Sequence, residues 1–239
     1  MEPKDRLIVG LDMSDSREVE KLCRELDNSV GILKIGLELI YSQGLDILKM
    51  VRDLGYQIFL DAKFHDIPEQ GSRSCAAVAK LGVRMVTLHT LGGYNMLHKS
   101  VEKVKETSTG LDVQPPLLLG VTILTSLDDS DLEEMGFRLK VQDTVVRLAD
   151  LAVRAGLDGI VCSAQEASLI KAKYRDSLIV VTPGIRPAGW GSQDQKRVVT
   201  PAEAMKMGID YIVVGRPITE AQDRLAATRA ILEEMRGLS

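Results

Sequence analysis

The chain has 239 residues, a formal net charge of -4, 45% hydrophobic and 27% charged residues, the balance of an ordinary soluble globular protein. An acidic chain with only 4% aromatics offers neither the basic face nor the stacking platform of a nucleic-acid binder. No apolar run reaches the ~18 residues a membrane helix needs, so neither nucleic acid nor membrane is an expected partner.

Met1-Glu2-Pro3-Lys4-Asp5-Arg6 has no apolar signal core, and the three cysteines, Cys23, Cys75 and Cys162, form no C-x-x-C pair. Each sits in an apolar neighbourhood, as buried reduced thiols do, and the expected compartment is the cytoplasm.

In chain order, strand and helix signals alternate. Leu7 to Asp12 is a strand ending in an acid, and Ser14 to Asp27 has helical spacing. Gly31 to Gly36 is a second strand with Lys34 inside it. Leu45 to Leu54 is helical, with Gly55 as a stop. Ile58-Phe59-Leu60 opens a third strand, and Gly71 to Leu81 is helical. Met85 to His89 is the fourth strand, with a helix to about Glu106. The fifth is Pro116 to Leu124, followed by a helical stretch from Asp131 to Ala155 with a break expected near Gly136. Gly159 to Cys162 and a helix from Ala164 to Tyr174 come next. Leu178 to Thr182 is the seventh strand, followed by a helix from Pro201 to Met207. Tyr211 to Gly215 is the eighth, and the last helix covers Ala221 to Met235. This is the pattern of an α/β protein built as a (β/α)8 TIM barrel, with residues 1–239 as one domain. A doubly wound sheet would want a glycine-rich turn after the first strand, and Leu11-Asp12-Met13-Ser14-Asp15 has none.

The stretch Phe59-Leu60-Asp61-Ala62-Lys63-Phe64-His65-Asp66-Ile67-Pro68 stands out. A buried strand runs into a loop and places opposite charges at its end. Period-2 alternation puts Asp61 and Lys63 on one face, about 6–7 Å apart along the backbone. Buried charges are rare unless paired, so the spacing favours a site over packing. Asp66 lies beyond the strand, where alternation gives no direction. Asp12, Lys34, Asp61, Lys63, His89 and Thr125 all fall at C-terminal strand ends, which form the active mouth of a barrel.

A second cluster follows strands seven and eight: Gly184-Ile185-Arg186 and Gly215-Arg216. Barrel loops at these places often hold a phosphate through backbone N–H groups and a helix N-terminus. Arginines add bidentate charge-assisted bonds. The polar, glycine-rich segment from Arg186 to Gln195 reads as a lid over that phosphate.

Asp61 to Pro68 resembles the signature of the orotidine 5'-phosphate decarboxylase family. Leu11-Asp12, Leu33 to Gly36, His89 with Gly92-Gly93, Val121 to Ser126, Val181 to Arg186 and Val213 to Arg216 follow the family's order. The resemblance implies conversion of orotidine 5'-monophosphate to UMP and carbon dioxide, the last step of de novo pyrimidine synthesis, with no metal or cofactor. It implies a homodimer of barrels with shared sites. Lys34, Asp61, Lys63 and Asp66 would form the charged network, with Asp66 and Ile67 given by the partner subunit. Asp12 would hold the ribose, and Thr125 with Ser126 the pyrimidine. Arg186, Gln195, Gly215 and Arg216 would hold the phosphate, and Lys63 would be the general acid. One departure is Gln70, where the family usually carries a ribose-binding threonine; an altered ribose contact with retained activity is expected. His65 reads as a loop or interface residue and His98 as a helix-surface one.

Two rivals remain at this level. A magnesium-dependent sugar-phosphate decarboxylase or aldolase of the same superfamily shares Asp61, Lys63 and Asp66 but has an acid where this chain has Lys34. A non-catalytic barrel sensing a nucleotide would keep Arg186 and Arg216 without needing Asp61 and Lys63 together.

Overall fold

The computed structural model describes residues 1–188, 190 and 199–237. Gln195 and most of the expected lid lie outside the described residues. A short helix α1 (Pro3–Arg6) precedes β1 (Leu7–Leu11) and α2 (Ser16–Leu26). β2 (Ile32–Ile35) is followed by α3 (Leu37–Gln43) and α4 (Asp46–Asp53), then β3 (Gln57–Phe64) and α5 (Pro68–Ala79). β4 (Met85–His89) leads through a 3-10 turn (Thr90–Gly92) into α6 (Gly93–Leu111). β5 (Leu117–Val121), α7 (Asp129–Glu134), α8 (Val141–Ala155), β6 (Gly159–Val161) and α9 (Ala164–Tyr174) come next. The chain ends with β7 (Ile179–Pro183), α10 (Pro201–Lys206), β8 (Tyr211–Val214), α11 (Arg216–Thr219) and α12 (Arg224–Met235).

The eight strands close into a barrel in sequence order, all parallel, with β8 returning to β1. Alternation along each strand divides the core in two. Leu7, Val9 and Leu11 join the apolar layer between barrel and helices, whereas Ile8 belongs to a plug with Ile32, Phe59, Met85, Leu119, Val181, Tyr211 and Val213. Two residues further along the strands, the same period brings Gly10, Lys34, Asp61 and Thr87 to the inward side. The apolar plug is therefore the floor on which the polar mouth stands.

The opposite end is tied down by main-chain bonds. Arg6 donates to the carbonyls of Asp210 and Ile209 at 3.0 and 2.5 Å. The Asp158 and Asp210 carboxylates accept from the N–H groups of Leu118 and Val180, at 2.8 and 2.7 Å, and Lys171 lies 2.5 Å from Asp210.

The strands fall where the apolar runs predict them. The helical stretch from Asp131 divides at Gly136, whose φ of 84° suits glycine, into α7 and α8. Three elements differ from expectation. α1 and α11 have four residues each, too few for a helical period to show. α3 carries Leu37 and Tyr41 42% and 84% exposed, so its apolar residues do not follow one buried face. All three cysteines are buried and free, and burial pushes the Cys23 and Cys75 thiols up to about 11. No helix among the described residues is long and apolar enough to cross a membrane.

Candidate active site at the barrel mouth

β3 contains the main irregularity of the barrel. Its pairing with β4 runs from Leu60↔Val86 to Phe64↔Leu88, so four residues of β3 span two of β4. The extra length is a bulge, the usual device for re-aiming side chains at a barrel rim. Within it Lys63 takes φ 49°, a left-handed conformation that side chains other than glycine seldom adopt. Simple alternation thus ends before Lys63. The predicted meeting of Asp61 and Lys63 still occurs, but the bulge makes it: Lys63 Nζ is 2.6 Å from Asp61 Oδ2.

Thr87 holds this geometry and was not legible as a site residue. It is wholly buried on β4, and its hydroxyl accepts from the Lys63 N–H and donates to Asp61 Oδ1, both at 2.9 Å. A threonine inside the apolar run Met85-Val86-Thr87-Leu88 reads as a strand former, and only the register shift reveals its partners.

The charges continue as an alternating row. Lys34 Nζ lies 3.7 Å from Asp61 Oδ2 and 3.2 Å from Asp12 Oδ1. The order is Asp12, Lys34, Asp61, Lys63, with Asp12 the most exposed member. Burial raises the Asp61 carboxyl, but Lys34, Lys63 and the bonds from Lys63 and Thr87 outweigh it and hold the group below its ordinary range. Asp61 therefore stays ionised between two ammonium groups. Gly10 and Gly215 make room beside them: a Cβ on Gly10 would lie 3.3 Å from Lys34 Cε, and one on Gly215 3.1 Å from Asp12 Oδ2.

Asp12, Lys34, Asp61 and Lys63 line a cavity of about 320 Å³. Val121, Ile123, Val161 and Val213 contribute apolar wall, and Thr125, Arg186, Gly215 and Arg216 line it as well. Arg186 is buried, and its N–H donates to Val199 O at 3.1 Å. Arg216 opens α11 directly after Gly215. The cavity thus brings together a charged row, apolar wall and two arginines.

The remaining expected residues lie elsewhere. Asp66 and Ile67 are exposed and do not line the cavity of this one chain; the Asp66 carboxylate accepts from Ile67 N at 2.7 Å. Ile67 is 65% exposed, an unusual place for an isoleucine. Ser126 lines a neighbouring cleft with Asp128 and Lys140 instead of the cavity that Thr125 shares. Gln70 is exposed in the first turn of α5. Gln195 is outside the described residues.

The model of the orotidine 5'-phosphate decarboxylase / HUMPS family matches residues 5–231. The orotidine 5'-phosphate decarboxylase of Syntrophotalea carbinolica is 43% identical over 235 residues, 98% of this chain and 96% of that protein. That of Carboxydothermus hydrogenoformans is 43% identical over 234 residues, 98% of this chain and 97% of that protein. Among solved structures, orotidine 5'-phosphate decarboxylase from Lactobacillus acidophilus superposes with a TM-score of 0.85 at 38% identity, covering 97% of this chain and 99% of that one. A match of this extent, carried by the same barrel, places the chain in the orotidine 5'-phosphate decarboxylase / HUMPS family.

Proposed function

We propose that this chain, one barrel domain throughout, removes the carboxylate of orotidine 5'-monophosphate to give UMP and carbon dioxide, the last step of pyrimidine nucleotide synthesis. The observation that carries the reading is the Asp12–Lys34–Asp61–Lys63 row on the cavity wall, with Arg186 and Arg216 on the same cavity.

The chemistry requires the bond between ring carbon C6 and the carboxylate to break, leaving its electron pair on C6. No conjugated carbonyl can take up that pair. The Lys63 ammonium stabilises it and then donates a proton to C6; the neutral amine is re-protonated from water. Opposite charges at 4 Å attract by about 4 kcal/mol at an effective dielectric near 20. That is about a thousandfold in rate, too little for a demanding decarboxylation. The rest falls to the preorganised row, which needs no reorganisation as charge develops. Binding energy from the remote phosphate adds to it by driving closure around the substrate. Arg186, Gly215 and Arg216 hold that phosphate, together with Gln195. Asp12 binds the ribose, and Thr125 with Ser126 the pyrimidine edge. Asp66 and Ile67, exposed and absent from the lining of their own cavity, serve the site of a second copy in a homodimer.

The family also takes in sugar-phosphate enzymes, which would use magnesium. Here the Lys34 ammonium already lies against Asp12 and Asp61, and it would repel a divalent cation. The reading is tested by following loss of orotidine monophosphate absorbance. Wild type should turn over in the presence of EDTA. Lys63→Ala should bind UMP yet lose nearly all kcat. A Lys63→Ala enzyme with ordinary turnover, or a wild type silenced by chelation, would refute it.

A further inference from the structure

His65 and His89 stand at the mouth without a part in the steps above. Phe64 of β3 pairs with Leu88 of β4, so the next residues on each strand are neighbours. Their ring centroids are 5.5 Å apart at an interplanar angle of 38°. His65 also lies over the 3-10 turn: a Cβ on Gly92 would be 3.5 Å from its Cδ2. His89 Nδ1 is buried with no hydrogen-bond partner among the described residues. A proton on that nitrogen would be a buried donor without an acceptor, so the charged ring is disfavoured there.

We infer that His65 and His89 are positioning residues for the proposed decarboxylation: their ring contact, with His89 uncharged, seats the β3–α5 connection and so fixes Lys63 on one side and Asp66–Ile67 on the other. This role rests on the decarboxylase reading. The connection is short. His65 is two residues from Lys63 and adjacent to Asp66, so movement of its ring is passed to both. The left-handed Lys63 backbone must be held by its surroundings, and the ring pair adds a second hold to the bond from Thr87.

The charges around His89 support a neutral ring. Burial lowers its pKa first, then His65 and Lys63, while Asp61 opposes them. These three groups all come from β3 and its end. The neighbouring β5 segment Leu117–Val121 and the 3-10 turn carry no titratable side chain. α6 brings Tyr94 and His98, which stack on each other at 5.2 Å, and His98 Nε2 faces Glu102 at 3.6 Å. Asp61 is already committed to Lys63 and Thr87. Of the charged groups that act on His89, the one carboxylate, Asp61, is thus already bound, and Lys63 and His65 both oppose a proton there.

The chain has three histidines, so their imidazole NMR signals can be assigned in the full-length protein from His65→Asn and His89→Asn. His89 should titrate below the ordinary value of about 6.5, and its midpoint should rise in His65→Asn. The substrate phosphate itself titrates near 6, so turnover is read as kcat at saturating substrate. Wild-type kcat should fall together with the His89 titration. His89→Asn should lose about tenfold in kcat near neutrality, keep UMP affinity within about twofold, and lack that acid limb. A His89 midpoint at or above the ordinary value, or an acid limb unchanged in His89→Asn, overturns the role; a uniform loss of kcat at every pH would mean packing alone. Should His89→Asn not fold, the response of the His89 midpoint to replacement of the exposed His65 decides. A wild type with no orotidine monophosphate turnover would defeat the decarboxylase reading while leaving the NMR coupling in place, so the two failures separate.

Discussion

Thr87 governs two neighbours with one hydroxyl. It fixes the backbone of Lys63 by accepting its N–H and the side chain of Asp61 by donating to Oδ1. Thr87→Val keeps the shape and strands the Lys63 N–H in a half-buried place. The expected loss is about 1–3 kcal/mol, with Tm falling roughly 2–4 °C per kcal/mol in a chain of this size. Activity should suffer more than stability, mainly in kcat, because Lys63 loses its placement while Arg186 and Arg216 are untouched. The pH dependence has a definite sign. The Asp61 carboxyl is lower in the folded chain than its unfolded value of about 3.9. Its contribution is therefore complete above about 4 and is lost as pH falls through the folded value. Removing the Thr87 bond moves the folded value back toward the unfolded one, so Thr87→Val should lose less stability than wild type on acidification, and the gap between the two should be widest above about pH 4 and narrow as pH falls. Thermal melts taken from neutrality into the acid range measure this, and coincident profiles would show that the hydroxyl does not hold Asp61.

Among the elements, strands were easier to read than what joins them. β4 and α9 have the predicted bounds, because an unbroken apolar run or a helical face is a strong local signal. The charges at strand ends were visible for the same reason: Lys34 and Asp61 interrupt apolar strands. The β3 bulge was not visible, since nothing in Asp61-Ala62-Lys63-Phe64 marks a change of register. A bulge is a property of two strands and their register, and Thr87 is hidden with it. Ser126 shows a related limit: adjacency to Thr125 in the chain does not bring both into one cavity. α5 shows what an element can present. It opens with Pro68 in its first turn, and that turn leaves Gln70 exposed beside Asp66 and Ile67. In the proposed shared site Gln70 would reach the ribose of a second copy's substrate from there, as an amide in place of a hydroxyl. Gln70→Thr should change KM with kcat largely kept, whereas an unchanged KM in steady-state kinetics would remove Gln70 from the site.

At the scale of the molecule, large apolar side chains remain uncovered around the mouth. Leu37 follows β2, Ile67 follows β3, Leu91 follows β4 and Leu124 follows β5; all are at least 40% exposed, and Tyr41 of α3 is 84% exposed. Burying such a rim against a second copy would remove it from water at roughly 25 cal/mol per Å². A two-fold arrangement makes the contact reciprocal, so each copy would give Asp66 to the other's cavity. This predicts complementation. Lys63→Ala and Asp66→Ala homodimers should each be nearly inactive, because every site lacks one member of the charged network. A mixed dimer places both defects in one site and leaves the other intact. Random pairing of equal amounts then restores about a quarter of the wild-type sites. Co-expression of the two variants, followed by turnover measurement and counting of UMP-competent sites, distinguishes the cases. Activity that stays at the level of the parents would mean that Asp66 serves its own chain or none, and the shared site would have to be given up.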